Sequence, residues 1–327
     1  MTISAFLERN AQSKPDDIAL VELNPEQRDF DHPNWREYSL VEPDAFHAAY
    51  RKQITWQQFD ANANKFANLL RSKGFKKGDK IAILLMNCIE WLPIYFGILK
   101  AGCIAVPLNF RYASDEIDYC LKLSDSACLV FGLHFVDRLK PLLTSDGKLE
   151  VNGSAIPCIY SGDPPCPEFA EDYEALTSQQ SEVAPDIGVT LSEQDDGAIY
   201  FSSGTTGFPK AILHKHRSLI TACEVEQAHH AQCESDVFLC IPPLYHTGAK
   251  MHWFGSLISG GRAVILRGTR PDWIVEAVSA EHATIVWLLV PWAQDILDAI
   301  DRGEIKLDSH ALSQWRLMHI GAQPVPP

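Results

Sequence analysis

Basic residues are scarce. Lys and Arg number 28 against 42 Asp and Glu, a formal net charge of −14 over 327 residues. A nucleic-acid surface needs clustered Lys and Arg, so that class of partner is excluded. A small anionic ligand is not, because a phosphate site needs only local donors and one or two cations. Long apolar runs are missing as well. The most apolar stretch, residues 81–108, is broken by Asn87, Glu90 and Lys100, and Ala283 to Ala293 is too short to cross a bilayer, so no membrane span is expected. The opening MTISAFLERNAQSKPDD lacks a basic start followed by an apolar block, so it does not read as a signal peptide. Disulfide and zinc spacings are absent too. The nine cysteines are odd in number and include no CxxC pair. Several, such as Cys103 and Cys240, sit in apolar runs as small hydrophobes, which fits a reduced, cytoplasmic compartment. His229, His230 and Cys233 lie close together but lack a second ligand pair of the zinc type. They read as side chains that one helix happens to carry, and no metal ligand is assigned. No repeat, no low-complexity tract and no mark of oligomeric state is visible.

What is present is a globular composition, 46% apolar and 21% charged. The length suits two domains, or one large one with subdomains. Residues 55–132 repeat a strand–helix rhythm. Thr55 followed by Gln58 matches a capping box, after which Trp56, Phe59, Ala63, Phe66, Ala67 and Leu70 fall on one helical face. Gly74 suits the helix stop. Ile81 to Met86, Cys103 to Val106 and Cys128 to Phe131 are continuous apolar runs, as expected of strands covered on both faces. A helix ends near Gly102, and Ser114 is positioned to cap another. Residues 160–190, with Pro164, Pro165, Pro167 and Pro185, read as a surface connection. Further strands are expected at Ala198 to Phe201, Ala211 to Leu213, Val237 to Ile241, Ala263 to Leu266, Thr284 to Leu288 and Leu317 to Ile320. A helix is expected to open near Pro271-Asp272. The alternation implies an α/β fold with a mainly parallel sheet between helices. The expected organisation is one α/β subdomain over 1–190 and a second over 191–327.

The strongest chemical signal is residues 198–216, AIYFSSGTTGFPKAILHKH. An apolar strand leads into Ser202, Ser203, Gly204, Thr205, Thr206 and Gly207, and Pro209 and Lys210 follow. Glycines let backbone N–H groups turn toward one point, hydroxyls add donors, and the lysine supplies compensating charge. Each charge-assisted contact to a phosphate contributes roughly 1.5–3 kcal/mol net. It is not a Walker loop, because Pro209 replaces the second glycine of GxxxxGK and Ala211 the Ser/Thr that holds magnesium.

The string resembles the phosphate-binding signature of the adenylate-forming (AMP-binding) superfamily, which includes acyl- and aryl-CoA synthetases, luciferases and peptide-synthetase adenylation domains. The common form is Tyr/Phe-Thr/Ser-Ser-Gly-Thr-Thr-Gly-x-Pro-Lys-Gly, and this chain departs from it at Ala211. Three more segments resemble family elements in the same order. Residues 99–112, LKAGCIAVPLNFRY, match Lys-Ala-Gly-x-x-x-x-Pro-Leu-Asn and read as structural. Residues 242–248, PPLYHTG, match the Pro-Leu-Tyr/Phe-His-x-x-Gly element. Residues 320–326, IGAQPVP, match Gly-x-x-Pro-Leu/Val. His214 and His216 flank the strand after the loop, where alternation puts both on one face in a structural role.

The resemblance implies a layered αβαβα adenylation-domain core with two mainly parallel sheets, truncated before a C-terminal mobile domain. It implies that Ser202, Ser203, Gly204, Thr205, Thr206, Gly207 and Lys210 hold the phosphates of ATP. It gives His246 a catalytic role in orienting the carboxylate of the acid, which suits an imidazole donor. Tyr245, His246, Thr247, Gly248, Gly321, Ala322, Gln323 and Pro324 are the implied wall beside the acyl group and adenine. ATP, Mg2+ and coenzyme A are the implied substrates of the complete enzyme, with a fatty or aryl carboxylic acid. The family pattern continues beyond what is matched, to a magnesium-binding glutamate, a ribose-binding aspartate and a catalytic lysine, so weak or no turnover is expected of this chain alone. An adenylation domain with a non-CoA acceptor and a non-catalytic nucleotide-binding module stay open as alternatives.

Overall fold

The computed structural model describes residues 1–27, 50–202, 209–321 and 324; over residues 247–252 it describes the backbone only. Along the chain run α1 (Ser4–Ser13), β1 (Ile18–Leu23), β2 (Arg51–Thr55), α2 (Trp56–Ser72), β3 (Lys80–Leu84), α3 (Trp91–Lys100), β4 (Ile104–Pro107) and α4 (Ser114–Ser124). Then come β5 (Ser126–Phe131), α5 (Val136–Leu139), β6 (Leu149–Val151), β7 (Ser154–Ile156), β8 (Cys158–Tyr160), β9 (Glu171–Asp172) and α6 (Tyr173–Thr177). The remainder comprises β10 (Asp196–Ser202), β11 (Lys210–Lys215), α7 (His216–His229), β12 (Val237–Cys240), α8 (Thr247–Ser259), β13 (Arg262–Leu266), α9 (Pro271–Ala280), β14 (Ile285–Leu289), α10 (Val290–Asp301) and β15 (Leu317–Gly321).

Two sheets form the frame. One is ordered β11-β10-β4-β3-β5-β8-β9 and the other β15-β14-β12-β13-β1-β2. Each is parallel except for one antiparallel edge strand, β11 in the first and β2 in the second. Strand alternation sorts side chains into layers. In β3, Ile81 and Ile83 face a shared core with α2, α3 and the other sheet, while Ala82 and Leu84 face Ile117, Cys120 and Leu121 of α4. In β13, Ala263 and Ile265 face the same shared core, while Val264 and Leu266 face α9 and α10. The order is α4, sheet, the helices α1, α2, α3, α7 and α8, sheet, and α9 with α10: the αβαβα architecture.

The shared core is aromatic. Phe59, Phe96, Trp253 and Phe254 meet edge to face or tilted at 5.4–6.1 Å, and each is 1% exposed or less. The capping box is present: Gln58 N donates to Thr55 Oγ1 at 3.2 Å and Thr55 N to Gln58 Oε1 at 2.9 Å. Ser114, expected as a cap, is instead the first residue of α4. Ala113 holds the cap position, and its amide donates to Glu116 Oε2 at 2.9 Å. Residues 160–190 are more ordered than a bare connection, since they add β9 and α6, the latter capped by Asp172 Oδ1. Sheet membership does not divide at residue 190. β1 and β2 complete the sheet of the later strands, and β10 and β11 complete that of the earlier ones.

Candidate active site

Parallel sheets present ligand sites beyond the carboxyl ends of their strands, where loops replace the ladder. The matched elements gather there. Ser202 closes β10 and is register-paired with Lys210, which opens β11, so the two flank the mouth of the loop. Ser203, Gly204, Thr205, Thr206 and Gly207 lie outside the described residues. Lys210 is exposed. Two residues upstream of Ser202, the buried Tyr200 hydroxyl meets that of Tyr95 on α3 at 2.8 Å. Burial drives both phenols well above their ordinary value, so they remain a neutral hydrogen-bonded pair tying β10 to the central layer.

The segment after β12 crosses from one sheet to the other. Asn87, just past β3, donates to Pro242 O at 3.0 Å and accepts from Leu244 N at 2.8 Å. Phe110, just past β4, meets the Tyr245 ring edge to face at 5.2 Å. These contacts hold the carboxyl ends of the two sheets together around a cavity of about 30 Å³ lined by Met86, Asn87, Phe110, Ile241, Pro243 and Arg267. His246 follows, exposed, with its amide donating to Pro243 O at 2.9 Å. It is the N-cap of α8, and Thr247 and Gly248 are the first two helical residues. The first N–H groups of a helix have no intrahelical acceptor, so they and the imidazole together suit an anionic oxygen.

Gly321 ends β15 and is register-paired with Leu289. A Cβ added there would lie 3.7 Å from both His319 Nε2 and Trp287 Nε1. Ala322 and Gln323 lie outside the described residues, and Pro324 is exposed. The structure thus places Tyr245, His246 and Gly321 at the carboxyl edge of one sheet and Ser202 and Lys210 at that of the other.

Sequence reasoning missed Asn87, which stood out only as a polar break in an apolar run. A polar amide one turn past a buried strand was the available signal. The paired placement of His214 and His216 is corrected. His214 lies on β11 with its ring 5.3 Å from Tyr200, but His216 opens α7 and is 1% exposed. The grouping of His229, His230 and Cys233 also changes. Cys233 is exposed with Sγ 3.1 Å from Ser235 Oγ, whereas His230 turns inward to His319. A larger cleft, about 570 Å³, opens at the same edge, lined among others by Glu22, Cys88, Glu90, His134, Tyr160 and Arg267. Among the described residues, none of those expected in the site lines it. Burial is the main cause that raises the Glu90 carboxyl, with the Glu22 charge adding to it, and burial lowers His134 to about 4.

The family profile described as "AMP-binding enzyme" matches residues 7–327, and the chain belongs to that family. It is similar to a medium/long-chain-fatty-acid–CoA/3-oxocholest-4-en-26-oate–CoA ligase of Mycolicibacterium smegmatis, 28% identical over 275 residues, covering 77% of this chain and 48% of that protein. A 3-hydroxybenzoate–CoA/4-hydroxybenzoate–CoA ligase of Thauera aromatica is 29% identical over 248 residues, covering 73% of this chain and 45% of that protein. The chain therefore spans about half the length of these curated relatives. Among solved structures, the anthranilate CoA ligase AuaEII in complex with anthranoyl-AMP superposes with a TM-score of 0.81. It is 21% identical, covering 100% of this chain and 56% of that one, and shows the shared fold.

Proposed function

We propose that this chain is the part of an AMP-forming acid–thiol ligase that binds ATP and a carboxylic acid and carries groups for the first half-reaction. In that step a carboxylate oxygen attacks the α-phosphorus of ATP. A P–O bond forms, the bond from the α-phosphorus to the bridging oxygen breaks, and pyrophosphate leaves with that electron pair. In the second step a thiol, coenzyme A in this reading, displaces AMP to give the thioester. The observation that supports the proposal is that the motif residues stand at the facing carboxyl edges of the two sheets, which the Asn87 and Phe110–Tyr245 contacts hold together. Ser202 and Lys210 flank the loop mouth, and His246 stands at the N-terminus of α8.

The roles follow from chemistry. Lys210 and Ser202, with the loop residues 203–207, neutralise and orient the phosphates. His246 donates to the carboxylate or to the acyl phosphate oxygen, and Tyr245, Thr247, Gly248 and Gly321 to Pro324 border the acid and adenine. Catalysis rests on positioning and preorganised charge rather than on a covalent enzyme intermediate. The polar side chains assigned here are hydroxyls, an ammonium, a phenol, an imidazole and the carboxamide of Gln323. None is a carboxylate of the kind that magnesium takes, so magnesium would arrive with the nucleotide, held by its phosphates and water.

The test is ATP–pyrophosphate exchange with magnesium and a panel of fatty and aromatic acids, on the wild type and on Lys210→Ala and His246→Ala. Exchange with one acid, weakened about 100-fold or more by each substitution, is the expected result if each group contributes as an electrostatic donor typically does. Exchange that survives both substitutions unchanged sinks the assignment. Silence in this chain and in a longer product carrying the remaining half would favour nucleotide binding without catalysis.

A further inference from the structure

A second cluster of ligand-type side chains lies where α7 meets the edge strand β15. His230, the C-cap of α7, has a side chain 5% exposed. Its Nε2 is 2.9 Å from Nδ1 of His319, with the ring planes at 82°. Its Nδ1 is 3.3 Å from Oε2 of Glu226, one helical turn upstream. One donor atom from each of the three residues falls in a set spanning no more than 4.8 Å. The backbone around them is fixed independently. Arg316, at the foot of β15, donates to His230 O at 3.1 Å and to Ala231 O at 3.3 Å, and pairs with Asp236 at 2.6 Å.

We propose that Glu226, His230 and His319 bind a divalent transition metal of the zinc type. The donor set is two imidazoles and one carboxylate, which suits zinc, cobalt or nickel rather than magnesium or calcium, whose sites are built from oxygen. Zinc–nitrogen bonds of about 2.0–2.1 Å at tetrahedral angles place two nitrogens about 3.3–3.4 Å apart. For an ion on His230 Nε2, the present 2.9 Å separation opens by about 0.4 Å, and the Glu226 carboxylate, which now faces Nδ1, rotates toward the His319 side, a movement of side chains within a donor set spanning 4.8 Å. Three protein ligands leave a fourth position for water. The ion would pin the end of α7 to β15 two residues before Gly321. The site does not depend on the ligase reading.

The experiment uses the full chain, stripped of metal by chelator and titrated with Co2+ while the visible d–d absorption is recorded, then with competing Zn2+. One equivalent of cobalt with tetrahedral-type bands, displaced by zinc, is expected, with a Tm that rises with zinc. His319→Gln and Glu226→Gln should each weaken binding by about tenfold or more, while His229→Ala and Cys233→Ser leave it unchanged. His319 is half-buried and its replacement keeps similar bulk; far-ultraviolet circular dichroism confirms that each variant is folded. Three results overturn the proposal: no stoichiometric band, one that persists in His319→Gln, or one lost in Cys233→Ser.

Discussion

The side-chain oxygen of Asn87 accepts from the Leu244 amide at 2.8 Å while its nitrogen donates to Pro242 O at 3.0 Å. One carboxamide, 9% exposed, thereby satisfies both edges of a buried crossing segment and sets the approach of Tyr245 and His246. Asn87→Ala leaves a buried N–H and a buried C=O without this partner, at about 1–3 kcal/mol for each group. The expected outcome is a lower midpoint in urea and pyrophosphate exchange that falls through a raised KM for the acid. Asn87→Asp keeps the acceptor for Leu244 but sets a carboxylate against Pro242 O, so it should not rescue. Wild-type KM in either variant would remove Asn87 from the positioning role.

Much of the sheet order follows from signals visible in the residues. The apolar runs Ile81 to Met86 and Cys128 to Phe131 lack alternation because both faces of β3 and β5 are buried, by α4 on one side and by the central helices on the other. The capping box at Thr55 was legible because its two hydrogen bonds are local. What was not legible depends on distant partners. β1 is a short run whose strand character comes from pairing with β13, more than 240 residues later. Ser114 looked like a cap, yet Glu116 supplies the cap contact to the preceding residue. His230 and His319 lie 89 positions apart, so spacing alone joined His230 to Cys233 instead. For the candidate site, Ser202, Lys210 and His246 were readable from motif order. Asn87 was not, since its role arises only when two sheets meet.

Lys100 belongs to a segment matching a family element yet serves the fold. Its side chain is 3% exposed and its ammonium lies 2.7 Å from Asp60, 3.1 Å from Glu8 and 2.8 Å from Asn64 Oδ1. It ties α3 to α2 and α1. Removing one partner of a buried ion pair costs about 3–5 kcal/mol. The lower end is expected for Lys100→Met, because Glu8 is 43% exposed and can rehydrate. Thermal unfolding checks this, and the variant should bind ATP normally while folded. A Tm within a degree of wild type would show that the pair contributes nothing.

Gly97 sits at the closest approach of α3 to α2. A Cβ there would meet Ala63 O and Phe66 Cβ, both at 2.8 Å. These are backbone and near-backbone atoms that cannot swing away. Alanine favours a helix by about 1 kcal/mol over glycine, but overpacking costs about 1–3 kcal/mol and the helices must also part. Gly97→Ala is therefore expected to destabilise, with a lower urea midpoint at unchanged m-value. A stabilised variant would mean that the two helices separate at little cost.

His216 gives the fold a pH dependence whose sign can be worked out. Its ring is 1% exposed, and burial holds its pKa at about 4 against an ordinary 6.5, outweighing the opposing pull of Asp195. Below 6.5 the unfolded chain takes up a proton that the folded ring refuses until near pH 4. The unfolded state therefore binds more protons in that window, and stability falls with falling pH. The contribution is fully present above 6.5 and lost as pH drops toward 4, and between pH 7 and pH 5 it amounts to about 2 kcal/mol. His134, also held near 4 by burial, acts in the same direction, so wild type alone cannot isolate His216. The informative comparison is urea unfolding of wild type and His216→Gln at both pH values. The variant should lose about 2 kcal/mol less than wild type on going from pH 7 to pH 5. Equal losses in the two proteins would show that His216 titrates in the fold as it does in the unfolded chain, and that burial does not govern its charge.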